Sequence, residues 1–393
     1  MKTTIVFLVF LYAMLPVVNA QKIRIKKIFA DAEQQLNVTL SEVNAARKND
    51  TTIVAARSLE NGEIKFVSSD DWTAGFFAGE LWLLYKYSHK NEWRTAAEKY
   101  TALMQREQWN ATTHDMGFKM YTSYGNGYLL TNNTAYKKII IRSAKTLSER
   151  FNPKVGCIRS WDHTKKNWEY PVIIDNMMNL ELLFAATKLT GDSSFYRIAV
   201  THANTTMKNH YRADYSCYHV LDYDTTTGKV LHKTTQQGYA DASAWARGQS
   251  WGLYGFTMCY RYTKDPRYMK QAEHIASFIL NNPHLPEDKI PYWDYDAPGI
   301  PDEPRDAAAA AIMASALYEL SSYSKNHDAY ISAADKILEN LTRHYRSAAG
   351  ENNGFILLHS TGSKPDDSEI DVPIIYADYY YLEALLRKNR IEK

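Results

Sequence analysis

Cysteine is nearly absent from this sequence. Three occur among 393 residues, Cys157, Cys217 and Cys259. So odd and sparse a set excludes a disulfide framework and a thiolate-rich metal site, and predicts buried thiols with at most one bridge. Charge of one sign is missing too. The 46 Lys and Arg stand against 44 Asp and Glu, a net +2, which gives no whole-molecule field for nucleic acid or a membrane surface. An acidic ligand must therefore be met by local cations. After the first twenty residues no apolar run is long enough to cross a bilayer. The twelve histidines form no His-Glu-x-x-His spacing, and there is no Gly-rich phosphate loop and no Gly-x-Ser-x-Gly elbow;. These absences point to acid–base chemistry with no metal and no cofactor. No low-complexity or Pro/Ser-rich linker divides the chain, so one domain is expected.

The N-terminus reads as a secretory signal. Lys2 supplies the charge, Ile5 to Val18 the apolar stretch, and Val18-Asn19-Ala20 the small-residue cleavage site;. Residues 1–20 are expected to be removed. That leaves a mature chain of 21–393, periplasmic or secreted, free of the membrane, and monomeric or weakly self-associating.

The architecture shows in a repeat. Five times a helical run ends in a short polar break, followed by an aromatic residue that opens the next run: 88–93, 131–136, 190–196, 263–268 and 324–330. Each break reads as a tight helix–helix turn with Asn, Asp or Ser as the next N-cap. The spacing is too long and irregular for a short-repeat solenoid. About twelve helices in antiparallel hairpins follow, with the motif-bearing long loops gathered at the opposite end. That is an all-α, (α/α)6 barrel, with small β-hairpins in the mouth loops near 218–232 and 355–359. Residues 48–73 read as irregular. The 291–304 loop is long and rich in Pro, Trp and Asp, as loops that serve a site often are.

Two stretches place an aspartate just before a helical run: His114-Asp115-Met116-Gly117 and Ile174-Asp175-Asn176. The plain reading is an N-cap. The other is a carboxyl among apolar neighbours that raise its pKa, fit to act as a general acid. Asn179 shares a face with Asp175. Arg247 and Trp251, four apart, share another, where an Arg can hold a carboxylate bidentately and a Trp can either stack on a sugar or pack in the core. Gln237 is a candidate for sugar hydroxyls. His219 by itself reads better as a satisfied structural histidine.

The chain resembles glycoside hydrolase family 88, the unsaturated glucuronyl hydrolases. The resemblance runs in order through Asp71-Trp72, His114-Asp115, Arg159-Ser160-Trp161-Asp162, Asp175-Asn176, Gln237 to Trp251, and Lys364 to Tyr380. It implies the same barrel, and Asp175 and Asp115 as the catalytic pair. It also implies Trp72, His114, Trp161, Asn176, His219, Gln237, Trp245, Arg247 and Trp251 as substrate contacts. Where some members have His-Gln-Gly, this chain has Gln236-Gln237-Gly238. The implied reaction removes a 4,5-unsaturated hexuronic acid from the non-reducing end of lyase-generated glycosaminoglycan oligosaccharides. Asp175 would protonate C4 and then draw a proton from the water adding at C5, while Asp115 holds hydroxyls and tunes it.

Members acting on sulfated glycosaminoglycans carry a Ser- and Lys-bearing segment like the one here, so Ser360, Ser363 and Lys364 are expected to cradle an oxyanion beside the uronate. Two alternatives stay open: a related unsaturated rhamnogalacturonyl hydrolase, and a non-catalytic glycan-binding helical protein using the same Trp and Tyr faces.

Overall fold

The polar breaks close tight turns between consecutive helices. A computed structural model describes residues 23–162 and 168–393; the expected signal segment lies outside the described residues. Among these, α1 (Ile25–Asn49) is followed by a hairpin of β1 (Ile53–Glu60) and β2 (Glu63–Ser68), then α2 (Ala74–Ser88) and α3 (Asn91–Leu103). A π-helical segment, Gly117–Gly125, runs into α4 (Asn126–Thr131), and α5 (Thr134–Ser148) follows. Short strands β3 (Phe151–Asn152), β4 (Cys157–Ile158) and β5 (Pro171–Ile173) lead to α6 (Asn176–Thr190) and α7 (Ser193–Asn209). After β6 (Val220–Tyr223) and β7 (Val230–Thr234) come α8 (Ala246–Thr263), α9 (Pro266–Leu280), α10 (Ala307–Ser321), α11 (His327–His344) and α12 (Ile375–Ile391). With the π segment and α4 taken as one, these are twelve long helices among the described residues.

The turns work as their residues require. His89, Asn132, Gly191 and Lys264 take the left-handed conformation that ends a helix;. Asn133, Asp192 and Asp265 then accept the N–H groups of Ala135, Ser194 and Arg267 as N-caps;. Every second helix is internal: α2, the π segment with α4, α6, α8, α10 and α12 each pack on the next, and α12 returns to α2. This closed inner ring inside an outer one is the (α/α)6 barrel. Burial separates the rings. Every residue of α10 is buried, whereas α9 buries one stripe, Tyr268, Ala272, Ile275, Ala276 and Ile279;. The inner helices all begin at the end where the long loops gather, which makes that end the mouth.

Two expectations need correction, and a third is extended. Residues 48–73 are not irregular. Asn61 and Gly62, at φ 53° and 83°, form the two-residue turn that matches strand twist, and β1 pairs antiparallel with β2. The segment near Phe355–His359 forms no hairpin, only isolated bridges such as Leu357 to Arg346 and Ser360 to Val372. The β6–β7 hairpin is present but gains β5 as a third strand, Val172 opposite Leu221. The three cysteines are free and buried. Among the described residues no helix is long and apolar enough to cross a membrane.

Candidate active site

Asp175 occupies the position just before α6, but its side chain caps nothing. One carboxyl oxygen, Oδ2, is buried with no hydrogen-bond partner, and the residue is 8% exposed. Burial drives its pKa up to about 7, against smaller opposing pulls from Arg247, its own backbone and Trp251, while Asp115 adds to the rise. A carboxylic acid half protonated near neutrality is the property a general acid needs.

Asp115 is oriented by its own neighbours. Thr113 Oγ1 donates to its Oδ2 at 2.8 Å, and its backbone N–H donates back to Thr113 at 3.1 Å. His114 Nε2 lies 3.2 Å from Oδ1. Burial lowers the His114 pKa, so the ring is a neutral donor at pH 7. Gly117 brings the two helix starts together, since a Cβ there would come within 2.6 Å of the Asn179 Cα. Asn179 Oδ1 accepts the Phe118 N–H at 3.0 Å across that contact. Asn176, fully buried, donates to the Ile158 carbonyl at 2.8 Å.

His219 faces Asp175, Nε2 to Oδ2 at 3.7 Å. Its Nδ1 accepts the backbone N–H groups of Gln236 and Gln237, both at 3.2 Å. Two donors on Nδ1 require the proton on Nε2, the nitrogen turned to the acid. The Trp245 ring tilts against His219 at 4.5 Å. Trp72 is half-buried beside Tyr376 (5.0 Å) and Phe118 (5.4 Å), and Trp161 lies against Trp168 at 5.1 Å. Gln237 Nε2 donates to the Gly362 carbonyl at 3.0 Å.

Two expected roles change. Trp251 offers no stacking face: it is fully buried between Phe118 and Tyr380, at 5.1 and 5.4 Å. Its indole N–H pulls the Asp175 pKa down without closing a full hydrogen bond. Arg247 does not present an open fork to a carboxylate. Nη1 pairs with Asp306 Oδ2 at 2.7 Å and also donates to the Thr361 carbonyl, and Nη2 donates to that of Gly362. Its part here is to pin the 361–362 backbone and to lend Asp175 a tempered positive field.

Nor do Ser360, Ser363 and Lys364 converge as a cradle. Ser360 is fully buried, Ser363 Oγ donates to Asp366 at 2.7 Å, and Lys364 pairs with Glu303. Asp306 was not singled out from the sequence. It precedes a run of alanines, the usual place for a cap, and Oδ1 does accept from Ala308 and Ala309 while Oδ2 holds Arg247. Lys119 is another such residue. Fully buried, it joins Glu107 at 2.6 Å to the Asp70 carbonyl at 3.0 Å, tying the Trp72 loop to the helix that follows Asp115. Among the described residues no group of three His, Cys, Asp or Glu side chains could hold a metal ion.

A barrel whose mouth holds a proton-bearing carboxyl beside a second carboxylate, ringed by aromatic and amide side chains, defines a glycoside-processing acid–base enzyme. Residues 44–262 match the model of Glycosyl Hydrolase Family 88. An unsaturated glucuronyl hydrolase of Formosa agariphila is 51% identical over 85% of this chain and 84% of its own. An unsaturated chondroitin disaccharide hydrolase of Streptococcus pneumoniae is 34% identical over 82% of each. A crystal structure of an unsaturated glucuronyl hydrolase specific for heparin superposes with a TM-score of 0.88 at 46% identity, covering 93% of this chain and 98% of that one. The chain belongs to glycoside hydrolase family 88, and it is a hydrolase.

Proposed function

We propose that this enzyme releases a 4,5-unsaturated hexuronic acid from the non-reducing end of glycosaminoglycan oligosaccharides by hydrating the C4=C5 double bond. The observation that carries this is the buried Asp175, whose Oδ2 has no hydrogen-bond partner and whose pKa is raised to about 7. Relatives named for glucuronyl, chondroitin and heparin substrates support the substrate class.

Asp175 gives its proton to C4. Positive charge develops at C5, where water adds and returns a proton to the Asp175 carboxylate. The resulting C5 hemiketal opens and the glycosidic link is lost. Asp115, steadied by Thr113 and His114, accepts sugar hydroxyls, and its carboxylate adds a smaller push to the burial that raises the Asp175 pKa. His219 Nε2–H steers the acid. Trp72, Trp161, Asn176, Gln237 and Trp245 line the uronate position, and Arg247 offsets its charge from behind.

The test is decay of the substrate's ultraviolet absorbance, since hydration destroys the conjugated double bond. Unsaturated chondroitin and heparin disaccharides should lose it with wild-type protein. Persistence of the band with every unsaturated uronide offered would overturn the reading.

The signal-like N-terminus supports export, with action in the periplasm or outside the cell. N-terminal sequencing of the active protein should begin at Gln21; finding Met1 would contradict export with cleavage.

A further inference from the structure

One buried carboxylate, that of Glu107, is shared among three stretches of chain that lead to the site. Glu107 and Lys119 are 2% and 0% exposed. Lys119 Nζ meets Glu107 Oε2 at 2.6 Å, and the Asn110 side-chain amide donates to the same oxygen at 2.8 Å. Oε1 accepts the Ser69 hydroxyl at 2.7 Å, and Arg106 approaches it from the surface at 3.5 Å. Lys119 donates in turn to the Asp70 carbonyl at 3.0 Å.

Each stretch carries a side chain of the site. Ser69 and Asp70 lead into Trp72. Asn110 accepts the Thr112 N–H at 3.0 Å, and the next residue, Thr113, steadies Asp115. Lys119 belongs to the π segment, and its own N–H donates to the Asp115 carbonyl at 2.9 Å. The Phe118 ring just before it bears on Trp72. The start of α2 closes over the same place, since a Cβ on Gly75 would collide with the Lys119 carbonyl.

Stability alone does not call for such a pair. Desolvating two charges is expensive, and apolar side chains of similar volume often serve as well. What apolar packing lacks is direction. A carboxylate that accepts from Ser69, Asn110 and Lys119 fixes the Trp72 loop against the Asp115 loop. Misplacement by about 1 Å can cost roughly a hundredfold in rate.

We propose that Glu107, with Lys119 as its buried partner, is a positioning residue that sets Trp72 and Asp115 at their working separation across the uronate position. The inference rests on the proposed function for what the site binds, but the tie can be read without a substrate.

The main variant is Glu107→Leu/Lys119→Met, which removes both charges together and strands neither. Its urea midpoint should stay at or above that of wild type, while kcat/KM on an unsaturated chondroitin disaccharide falls about a hundredfold. A folded double variant within about threefold of wild-type kcat/KM overturns the proposal. Two single changes leave the ion pair whole and serve even where the double variant folds poorly. Ser69→Ala loosens the Trp72 side and should raise KM about fivefold with kcat kept. Asn110→Ala loosens the Asp115 side. There kcat should fall, and its alkaline limb should move to lower pH, because Asp115 then adds less to the Asp175 pKa. The same KM and kcat pattern in both, with the limb unmoved, would make the pair a structural brace and overturn the proposal.

Hydrogen exchange separates the tie from the activity it serves. In the double variant, peptides spanning 69–73 and 110–116 should exchange about tenfold faster or more, with α10 unchanged. Unchanged exchange in those peptides sinks the proposal whatever the activity. Faster exchange there, in a protein whose wild type hydrates no unsaturated uronide, would sink the proposed function and leave the tie standing.

Discussion

Asp175 and Glu319 are enclosed in the same barrel and ionise in opposite senses. Asp175 lies at the start of α6, in the mouth; Glu319 lies near the end of α10, at the floor. Burial is the largest influence on each. Yet the Asp175 pKa is raised to about 7, and that of Glu319 is lowered. The difference is the counterion. Arg387 and Arg261 approach Glu319 at 2.7 and 3.3 Å, and Arg261 also holds Glu181 at 2.6 Å. At the mouth, among the described residues, the cation that acts on Asp175 is Arg247, already paired with Asp306. Helix direction favours the same division. Inner helices end at the floor, where carbonyl ends draw guanidinium groups. They begin at the mouth, where a carboxylate would be welcome, but Asp175 takes no cap hydrogen bond from its helix. An acid is made here by withholding a partner, not by depth alone.

The largest test removes the mouth's proton. Asp175→Asn keeps the volume but cannot deliver or recover a proton, so turnover should fall at least about a thousandfold, followed by loss of the ultraviolet band. A soluble Asp175→Asn protein with a third of wild-type activity would remove Asp175 from the chemistry.

Breaking the floor should do the reverse, costing stability and sparing chemistry. Arg387→Leu leaves Glu319 and Glu383 short of a counterion, and removing one partner of a buried ion pair costs about 3–5 kcal/mol. Urea unfolding should show a loss of that order, while kcat of the folded fraction on an unsaturated disaccharide stays near wild type. An undiminished midpoint would mean the floor charges are hydrated and not a structural network.

The same contrast should appear in how stability varies with pH. The folded Asp175 carboxyl titrates near 7, against an ordinary 3.8. Between those values the folded protein holds a proton that the unfolded chain has released, so this residue makes stability fall as pH rises through the window. Asp175→Asn should match wild type below about pH 4 and exceed it above pH 7, by up to about 4 kcal/mol at roughly 1.4 kcal/mol per unit. Parallel stability curves across pH 4–8 would show that Asp175 carries no such penalty.

Much of this was legible in the residues, for reasons that differ by element. The barrel could be read because its turns are local: a capping Asn or Asp and a following aromatic encode Asn133 and Tyr136 without help from the rest of the chain. The β1–β2 hairpin is legible only in its Asn61-Gly62 turn, because Arg57, Glu60, Glu63 and Lys65 interrupt the apolar residues on either side;. The catalytic pair could be located but not its electrostatics, since Arg247 meets Asp306 across 59 residues and Lys364 meets Glu303 across 61. Spacing shows that an Arg and a Lys are present; only the fold shows that both are already paired. A raised pKa does not mark the site by itself either. Asp378 is pushed to about 8, yet its two oxygens accept the Ile356 and Leu357 N–H groups at 2.7 Å each, which is a structural task.

The smallest effect tests how finely the mouth is set. Trp251 touches the acid's balance through its indole N–H alone, because its ring is packed between Phe118 and Tyr380. Trp251→Phe keeps a ring between those two and removes the donor. With one of the groups that lower it gone, the Asp175 pKa should rise. The alkaline limb of kcat should then move to higher pH, with kcat at neutral pH changing by no more than about threefold, less than the factor for a positioned acid or base. Stability should stay within about 1 kcal/mol, because the smaller ring fills less space while a buried N–H without a full hydrogen bond is no longer enclosed;. A limb that moves to lower pH would mean that the indole N–H favours the protonated acid over the carboxylate, and the mouth would then owe its proton to Trp251 as well as to the missing counterion.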